Sequence, residues 1–186
     1  VKAAQSGKPL SSSVDYGASK RLAEESLEAV CAASSMELVI VRPALVYDTG
    51  APGHLAWLRR WVDLHLPAPP RGGARSMVSR PDLVALLCAL LAPAAAPQRM
   101  TLTDGEAYTT RRLHAAFCRS RARFPRLPSP PEALWRAACD TVDWLRRHPA
   151  GSSWQRLTGS ELHAQGGLAE VGFRPCFTFE RLLGLT

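Results

Sequence analysis

Apolar residues recur with helical spacing in some segments and as short continuous runs in others, and this alternation predicts an α/β fold. A helix is predicted from Asp15 to about Ser34, because apolar positions three to four residues apart form one stripe along it. That stripe comprises Tyr16, Lys20, Ala23, Leu27, Val30 and Cys31. The next run, residues 38–41, is rich in β-branched side chains and ends at Arg42-Pro43, which is typical of a strand buried in a parallel sheet.

The same spacing rules predict further elements towards the C-terminus. Ser79 and Asp82 have the spacing of a capping box, which indicates the start of a helix. Helices are predicted over residues 54–66, 79–91, 110–121, 132–147, 159–165 and 178–185, and strands near residues 76–78 and 99–103. A proline-rich link at residues 124–131 predicts a division into an α/β part, residues 1–123, and a smaller, mostly helical lobe, residues 124–186.

The composition is that of an ordinary globular domain, since 46% of the 186 residues are hydrophobic and 21% are charged. No uninterrupted apolar run reaches the roughly 18 residues of a membrane helix, so no membrane partner is expected. The five cysteines are scattered and none lies at metal-ligand spacing, so no metal site is expected. Free, mostly core-filling thiols in a reducing cytoplasm are the favoured interpretation.

The formal net charge of +7 introduces another class of function, because a basic protein is a candidate nucleic-acid-binding module. Arginine accounts for 20 of the 23 basic residues, and six arginines without an acid lie within residues 111–126. In that segment Leu113, Ala116 and Phe117 have the spacing of the buried stripe of a helix. A solvated helix face is therefore the favoured interpretation, and no nucleic-acid partner is expected.

The clearest chemical signal is the sequence Tyr16-Gly17-Ala18-Ser19-Lys20. A tyrosine and a lysine four residues apart on a helix lie on the same face, within mutual reach. A nearby ammonium favours the phenolate, lowers the pKa of the phenol from about 10 and suits it to proton transfer. The alternative is a boundary tyrosine beside a solvated lysine. Because both residues share the apolar stripe, where a solvated lysine is costly, the catalytic interpretation is favoured.

A second signal is the sequence Val39-Ile-Val-Arg-Pro-Ala-Leu-Val-Tyr47. In open parallel sheets, ligands bind outside the carboxyl ends of the strands. A strand that ends in Arg-Pro and continues as an apolar loop can lay rigid backbone against a flat ring. Taken alone, a strand followed by an ordinary turn is the favoured interpretation.

Together these segments resemble the extended short-chain dehydrogenase/reductase family, and within it the NAD-dependent epimerase/dehydratase branch. The resemblance rests first on Tyr16-Gly-Ala-Ser-Lys20-Arg-Leu-Ala-Glu24 and on Val41-Arg-Pro-Ala-Leu-Val-Tyr47. Residues 75–83, 102–106 and 160–183 are similar to later family segments, the last of them to the C-terminal region of nucleotide-sugar epimerases. This collinearity covers nearly the whole chain and is more specific than any single motif.

The resemblance implies an enzyme that uses NAD or NADP and acts on a nucleotide sugar by transient hydride transfer. It makes Tyr16 the catalytic acid/base, and Lys20 the residue that binds the nicotinamide ribose and tunes Tyr16. The loop beside the nicotinamide is expected to comprise Pro43, Ala44, Leu45 and Val46. Arg75 matches a position that meets substrate phosphate, with a solvated loop arginine as an equal alternative. Asp48 stands where the family usually has glycine, so a different local loop is expected there.

The fold implied by the resemblance is a Rossmann-like parallel sheet with a helical C-terminal substrate lobe. Residues 1–123 would form the C-terminal part of the NAD(P)-binding domain. The family's glycine-rich pyrophosphate turn is missing, since neither G-x-G-x-x-G nor G-x-x-G-x-x-G occurs. We therefore expect an N-terminally truncated chain that is inactive alone, and a homodimer in the full-length protein. The alternatives are an NADPH-dependent carbonyl reductase of a non-sugar substrate and, from another class, an inactive fragment.

Overall fold

The computed structural model describes residues 13–48, 50, 54–91 and 97–185, in which helices and strands alternate. The helices are α1 (Ser13–Ala32), α2 (His54–Asp63), α3 (Arg80–Ala89), α4 (Thr110–Arg121), α5 (Glu132–Leu145), α6 (Ser152–Thr158) and α7 (Phe179–Leu182). The strands are β1 (Ile40–Pro43), β2 (Leu45–Tyr47), β3 (Ala74–Ser79), β4 (Arg99–Leu102) and β5 (Ala107–Thr109). The predicted α/β fold class is confirmed.

The chain forms two compact units, Val1–Ile40 and Val41–Thr186. Helix α1 belongs to the first unit, and every element from β2 onwards belongs to the second. The predicted boundary between residues 123 and 124 stays a prediction.

The strands of the second unit include a parallel pair, β2 and β3, whereas the run predicted to be a buried parallel strand, residues 38–41, overlaps β1, whose residues are half-buried or exposed. In the sheet β2–β3–β5, β2 runs parallel to β3, with Leu45 opposite Met77 and Tyr47 opposite Ser79. Strand β5, which the sequence pattern missed, runs antiparallel to β3 after the turn at Gly105, whose φ is +84°. Strands β1 and β4 pair with each other. Parallel pairing of β2 with β3 is made possible by the crossover through α2.

Aromatic side chains form the centre of the second unit's core. Tyr47, Tyr108, Phe117 and Phe179 are all buried. The ring of Phe179 meets Tyr47 edge-on at a centroid distance of 5.5 Å and Phe117 at 5.2 Å, both favourable geometries for aromatic pairs. The buried stripe predicted on α4 is confirmed, since Leu113 and Phe117 both belong to this core. Helix α7, close to the C-terminus, is thereby anchored beside the sheet.

Several sequence predictions are wrong in detail. The strand predicted at residues 38–41 is β1, Ile40–Pro43, which includes the proline expected to end it. No helix forms at residues 159–165, because Glu161 forms a bridge with Arg75 of β3 instead. On α1, Leu27 and Val30 are exposed rather than part of a buried stripe.

The cysteines fill the core less than expected. Cys118 is buried, Cys31 and Cys139 are half-buried, and Cys88 and Cys176 are exposed. All five are free thiols.

Within the described ranges, no helix is both long and apolar enough to cross a membrane. The same residues contain no group of three or more His, Cys, Asp or Glu side chains arranged to hold a metal ion.

Candidate active site

The predicted acid/base pair lies on helix α1 in the first compact unit. Helix α1 runs without interruption from Ser13 to Ala32, so Tyr16 and Lys20 occupy positions one turn apart on it. Lys20 is exposed. The helical spacing on which the predicted pair depends is therefore present.

The predicted nicotinamide loop is a junction between two strands rather than an open loop. Pro43 is the last residue of β1, and Leu45 is the first residue of β2. Between them, the N–H of Ala44 donates to the carbonyl of Leu102 at 2.9 Å, which fixes the junction to β4. The backbone here is held by hydrogen bonds on both sides of the single linking residue.

The side chains after this junction change abruptly in exposure. Leu45 and Val46 are 42% and 38% exposed, whereas the next residue, Tyr47, is fully buried. Two aliphatic side chains are thus exposed at the start of β2, a strand that runs parallel to β3. The described residues contain no glycine-rich turn between a strand and a helix that would fit the pyrophosphate of a dinucleotide.

Arg75 lies on β3, opposite Tyr108 of β5, in the second compact unit. Its Nη2 donates a short hydrogen bond to the carbonyl of Arg156 in α6. The guanidinium therefore ties β3 to the C-terminal part of the chain. It is half-buried and retains further N–H donors for an anion.

Asp48, the residue that departs from the family pattern, forms an ion pair with Arg80 at 3.0 Å. Its backbone is not in the left-handed region. Glycine's freedom is therefore not needed here, and the carboxylate instead connects the end of β2 to the start of α3.

Tyr47, the last residue of β2, belongs to a buried hydrogen-bond network that the sequence pattern does not indicate. Asp104 accepts hydrogen bonds through Oδ2 from the hydroxyls of Tyr47, at 3.0 Å, and Tyr108, at 2.6 Å. The Tyr47 hydroxyl also lies 3.0 Å from the carbonyl oxygen of Phe177, and that of Tyr108 accepts from the N–H of Phe179 at 3.0 Å. Two strands and the C-terminal segment thus meet at one carboxylate.

Burial dominates the electrostatics of this network. Desolvation raises the pKa of Asp104, although hydrogen bonds from Tyr108, the Glu106 N–H and Tyr47 oppose it. Desolvation together with the nearby Asp104 raises the pKa of both Tyr47 and Tyr108. Both phenols therefore stay protonated at neutral pH and act as hydrogen-bond donors rather than as bases.

A second carboxylate, that of Asp82, holds the same C-terminal segment. Asp82 is buried at the start of α3, where Ser79 caps the helix and donates to Asp82 Oδ2 at 2.7 Å. The N–H groups of Cys176 and Phe177 donate to the two oxygens of Asp82 at 2.9 and 3.1 Å. The predicted start of this helix, with Ser79 as its cap, is confirmed, and the Asp82 carboxylate also binds this distant segment.

An ion pair completes the attachment of α7. Arg112 of α4 donates from Nε to Glu180 Oε1 at 2.7 Å and from Nη2 to Oε2 at 3.1 Å. Its Nη1 also bonds Glu106 at 2.8 Å. Although burial opposes it, the hydrogen bond from Arg112 lowers the pKa of Glu180. Arg112, which belongs to the arginine cluster predicted to be a solvated helix face, therefore forms structural ion pairs.

Both the sequence and the fold of this chain are similar to those of known proteins. No protein-family model matches the sequence. A UDP-glucose 4-epimerase from Vibrio cholerae is 40% identical over 100 residues, which are 52% of this chain and 30% of that protein.

Solved structures show the same fold at low sequence identity. A UDP-N-acetylglucosamine 4-epimerase from Methanobrevibacter ruminantium, in complex with UDP-N-acetylmuramic acid, has a TM-score of 0.65 at 15% identity, covering 100% of this chain and 55% of that one. A UDP-glucose 4-epimerase from Thermus thermophilus, in complex with NAD, has a TM-score of 0.63 at 19% identity, covering 92% of this chain and 52% of that one. The chain thus spans about half the length of these structures. The resemblance of this chain to the NAD-dependent epimerase/dehydratase branch of the extended short-chain dehydrogenase/reductase family, read from its motifs, is therefore confirmed over the part of these proteins that it spans.

Proposed function

We propose that the protein containing this chain is an NAD(P)-dependent epimerase/dehydratase-type enzyme that acts on a nucleotide sugar, with Tyr16 as its acid/base. The observation that carries the proposal is the position of Tyr16 and Lys20, one turn apart on the uninterrupted helix α1. The identity to a UDP-glucose 4-epimerase over 100 residues supports the choice of substrate class.

The other tyrosines support the assignment by elimination. The sequence has three tyrosines, and two of them, Tyr47 and Tyr108, are buried donors with raised pKa values. Neither is suited to exchange a proton with a substrate near neutral pH. Among the tyrosines of this chain, Tyr16 is the candidate left for that role.

In the proposed reaction, the Tyr16 phenol oxygen takes the proton from a sugar hydroxyl while the carbon that carries this hydroxyl is oxidised. The phenol later returns that proton as the carbon is reduced. Lys20 supplies a positive charge that stabilises the phenolate between the two steps. When bound, the nicotinamide cofactor supplies the hydride acceptor and then the hydride donor.

Residues of the second compact unit have binding roles in this proposal. The segment of Pro43, Ala44, Leu45 and Val46 would lie beside the nicotinamide. Arg75 would direct its remaining N–H donors to the substrate diphosphate, a planar donor geometry that suits phosphate oxygens. The exposed Leu22, Leu27 and Val30 on α1 support the expected homodimer of the full-length protein.

The test uses the full-length protein with UDP-glucose and, separately, with NADPH and a simple ketone. We expect the nucleotide sugar to be converted, with NMR of the sugar carbons as the readout and with bound NAD recovered from the denatured protein. Consumption of NADPH with the ketone, and no conversion of the nucleotide sugar, would instead identify a carbonyl reductase. The absence of both activities in a folded, NAD-loaded protein would reject the proposal.

A further inference from the structure

Tyr47 lies at the boundary between an exposed and a buried part of the same short strand. Leu45 and Val46, which immediately precede it in β2, are the exposed aliphatic residues of the proposed cofactor surface. Tyr47 itself is fully buried, with its ring packed edge-on against Phe179 and Tyr108. Its position fixes where the preceding residues can lie, because the three form one continuous extended segment.

The hydroxyl of Tyr47 connects this strand to residues far away in the sequence. It lies 3.0 Å from Asp104 Oδ2 and 3.0 Å from the carbonyl oxygen of Phe177. Asp104 is itself fixed, because its N–H donates to the carbonyl of Met77 in β3 at 2.8 Å. The phenol thus joins β2, the turn after β4 and the C-terminal segment at a single atom.

The peptide groups flanking Phe177 are held from two sides. Asp82 accepts the N–H of Phe177 at 3.1 Å, and the Tyr47 hydroxyl is within hydrogen-bond distance of its carbonyl. The segment cannot shift along the sheet without breaking contacts to both side chains. Any displacement of this segment is therefore transmitted to Tyr47.

Tyr108 provides an internal comparison. Its hydroxyl donates to the same oxygen of Asp104 and accepts from the N–H of Phe179. Tyr108 lies on β5, however, and β5 pairs with β3 rather than with β2. The two phenols share one carboxylate and one C-terminal segment, but only Tyr47 is continuous with the exposed aliphatic residues.

We infer that Tyr47 is a positioning residue that couples the C-terminal segment Cys176–Phe179 to the cofactor-facing residues Ala44, Leu45 and Val46. The coupling itself is a property of the fold, and its effect on cofactor binding rests on the proposed function. The hydroxyl is the coupling element, because the aromatic ring alone would fill the core equally well as phenylalanine.

The test compares Tyr47→Phe with the matched control Tyr108→Phe in the full-length protein. Each change removes one hydroxyl from Asp104 and keeps the ring in the core. Amide hydrogen exchange at Ala44 and at residues 45–46 reports the junction, and the amide of Phe117 in α4 reports global opening. Titration with NAD gives the dissociation constant, and steady-state kinetics separate KM from kcat.

We expect Tyr47→Phe to increase exchange at residues 44–46 about fivefold relative to Phe117 and to raise the dissociation constant and KM for NAD by a similar factor, since one hydrogen bond is lost. The value of kcat at saturating cofactor is expected to stay within about twofold of wild type. Tyr108→Phe is expected to leave exchange at the junction and NAD affinity unchanged.

Equal effects of the two variants at the junction, or no local effect of Tyr47→Phe, would overturn the inference. Faster exchange at the junction with unchanged NAD affinity would overturn the role in cofactor positioning. A wild-type protein that binds no NAD, but in which Tyr47→Phe still loosens residues 44–46, would reject the proposed function and leave the coupling supported.

Discussion

At the scale of single residues, Asp104 and Glu180 show how the partners of a half-buried carboxyl determine whether its pKa is raised or lowered. Burial raises the pKa of Asp104, since its partners are two neutral phenols and a backbone N–H. Burial is the largest single effect on Glu180 as well, but the hydrogen bonds from Arg112 and from a backbone N–H, together with the charges of Arg112 and Arg119, lower the pKa of that carboxyl. The two groups therefore contribute to stability in opposite directions of pH.

The lowered pKa of Glu180 is the shift expected of a carboxylate in a stabilising ion pair. Because its folded-state pKa lies below the unfolded value, its contribution is present above the ordinary Glu range and is lost as pH falls through the folded pKa. We expect Glu180→Gln to lower the free energy of unfolding at neutral pH by about 1–2 kcal/mol, a value reduced by the partial exposure of Arg112. Urea denaturation at a series of pH values measures this difference.

The exposed Glu170 provides the matched control for that experiment. Glu170→Gln is expected to change stability by less than about 0.5 kcal/mol at any pH. A loss in Glu180→Gln that does not shrink as the pH falls through the folded-state pKa would contradict the assignment, because the carboxylate becomes protonated over that range.

Single residues differ in how far the sequence determines their role. Tyr16 and Lys20 are four residues apart, so helical geometry alone predicts that they share a face. Tyr47 and Asp104 are 57 residues apart, and no local spacing indicates that they meet. Their contact depends on the sheet register, which aligns Tyr47 with Ser79 and places the turn after β4 beside β3.

At the scale of elements, the sequence predicts structure that depends on local signals better than structure that depends on long-range pairing. The capping box at Ser79 and Asp82 is a local signal, and α3 begins where it predicts. The helix predicted at residues 159–165 fails because that backbone finds partners on β3. The N–H of Glu161 donates to Ala74 at 2.8 Å, and its carbonyl accepts from Ser76 at 3.0 Å. Pairing with an available strand edge outweighs a weak helical pattern.

The cap of α3 supports a prediction about stability. Ser79 is fully buried, accepts from the N–H of Asp82 at 3.0 Å and donates back to its carboxylate. We expect Ser79→Ala to destabilise the protein by about 1–2 kcal/mol, because it removes the cap and loosens the carboxylate that holds Phe177. Thermal unfolding measures the loss, with the exposed Ser120→Ala in α4 as the control. Equal unfolding temperatures for the two variants would show that the cap contributes nothing.

At the scale of the whole molecule, some of the basic residues that give the chain its net charge of +7 form ion pairs within the fold. Arg112 pairs with Glu106 and Glu180, and Arg121 pairs with Asp63 at 2.6 Å. The arginine cluster that suggested a nucleic-acid partner therefore contributes ion pairs that connect α4 to α7 and α2. The resemblance to nucleotide-sugar enzymes accounts for the motifs without a nucleic acid.

The protein is expected not to bind nucleic acid. Fluorescence anisotropy with labelled duplex DNA and single-stranded RNA at low salt is expected to show no saturable binding. Affinity that falls steeply and linearly with the logarithm of salt concentration would be the mark of true phosphate binding and would contradict this expectation.

The proposed exchange of a proton between Tyr16 and a nucleotide sugar is tested by the turnover of Tyr16→Phe in the full-length protein at saturating UDP-glucose. The control is Ser26→Ala, which removes from the same helix a hydroxyl that donates to the carbonyl of Leu22. We predict that Tyr16→Phe lowers turnover at least about 100-fold with its NAD content unchanged, whereas Ser26→Ala retains wild-type turnover. Full turnover in Tyr16→Phe would contradict the account.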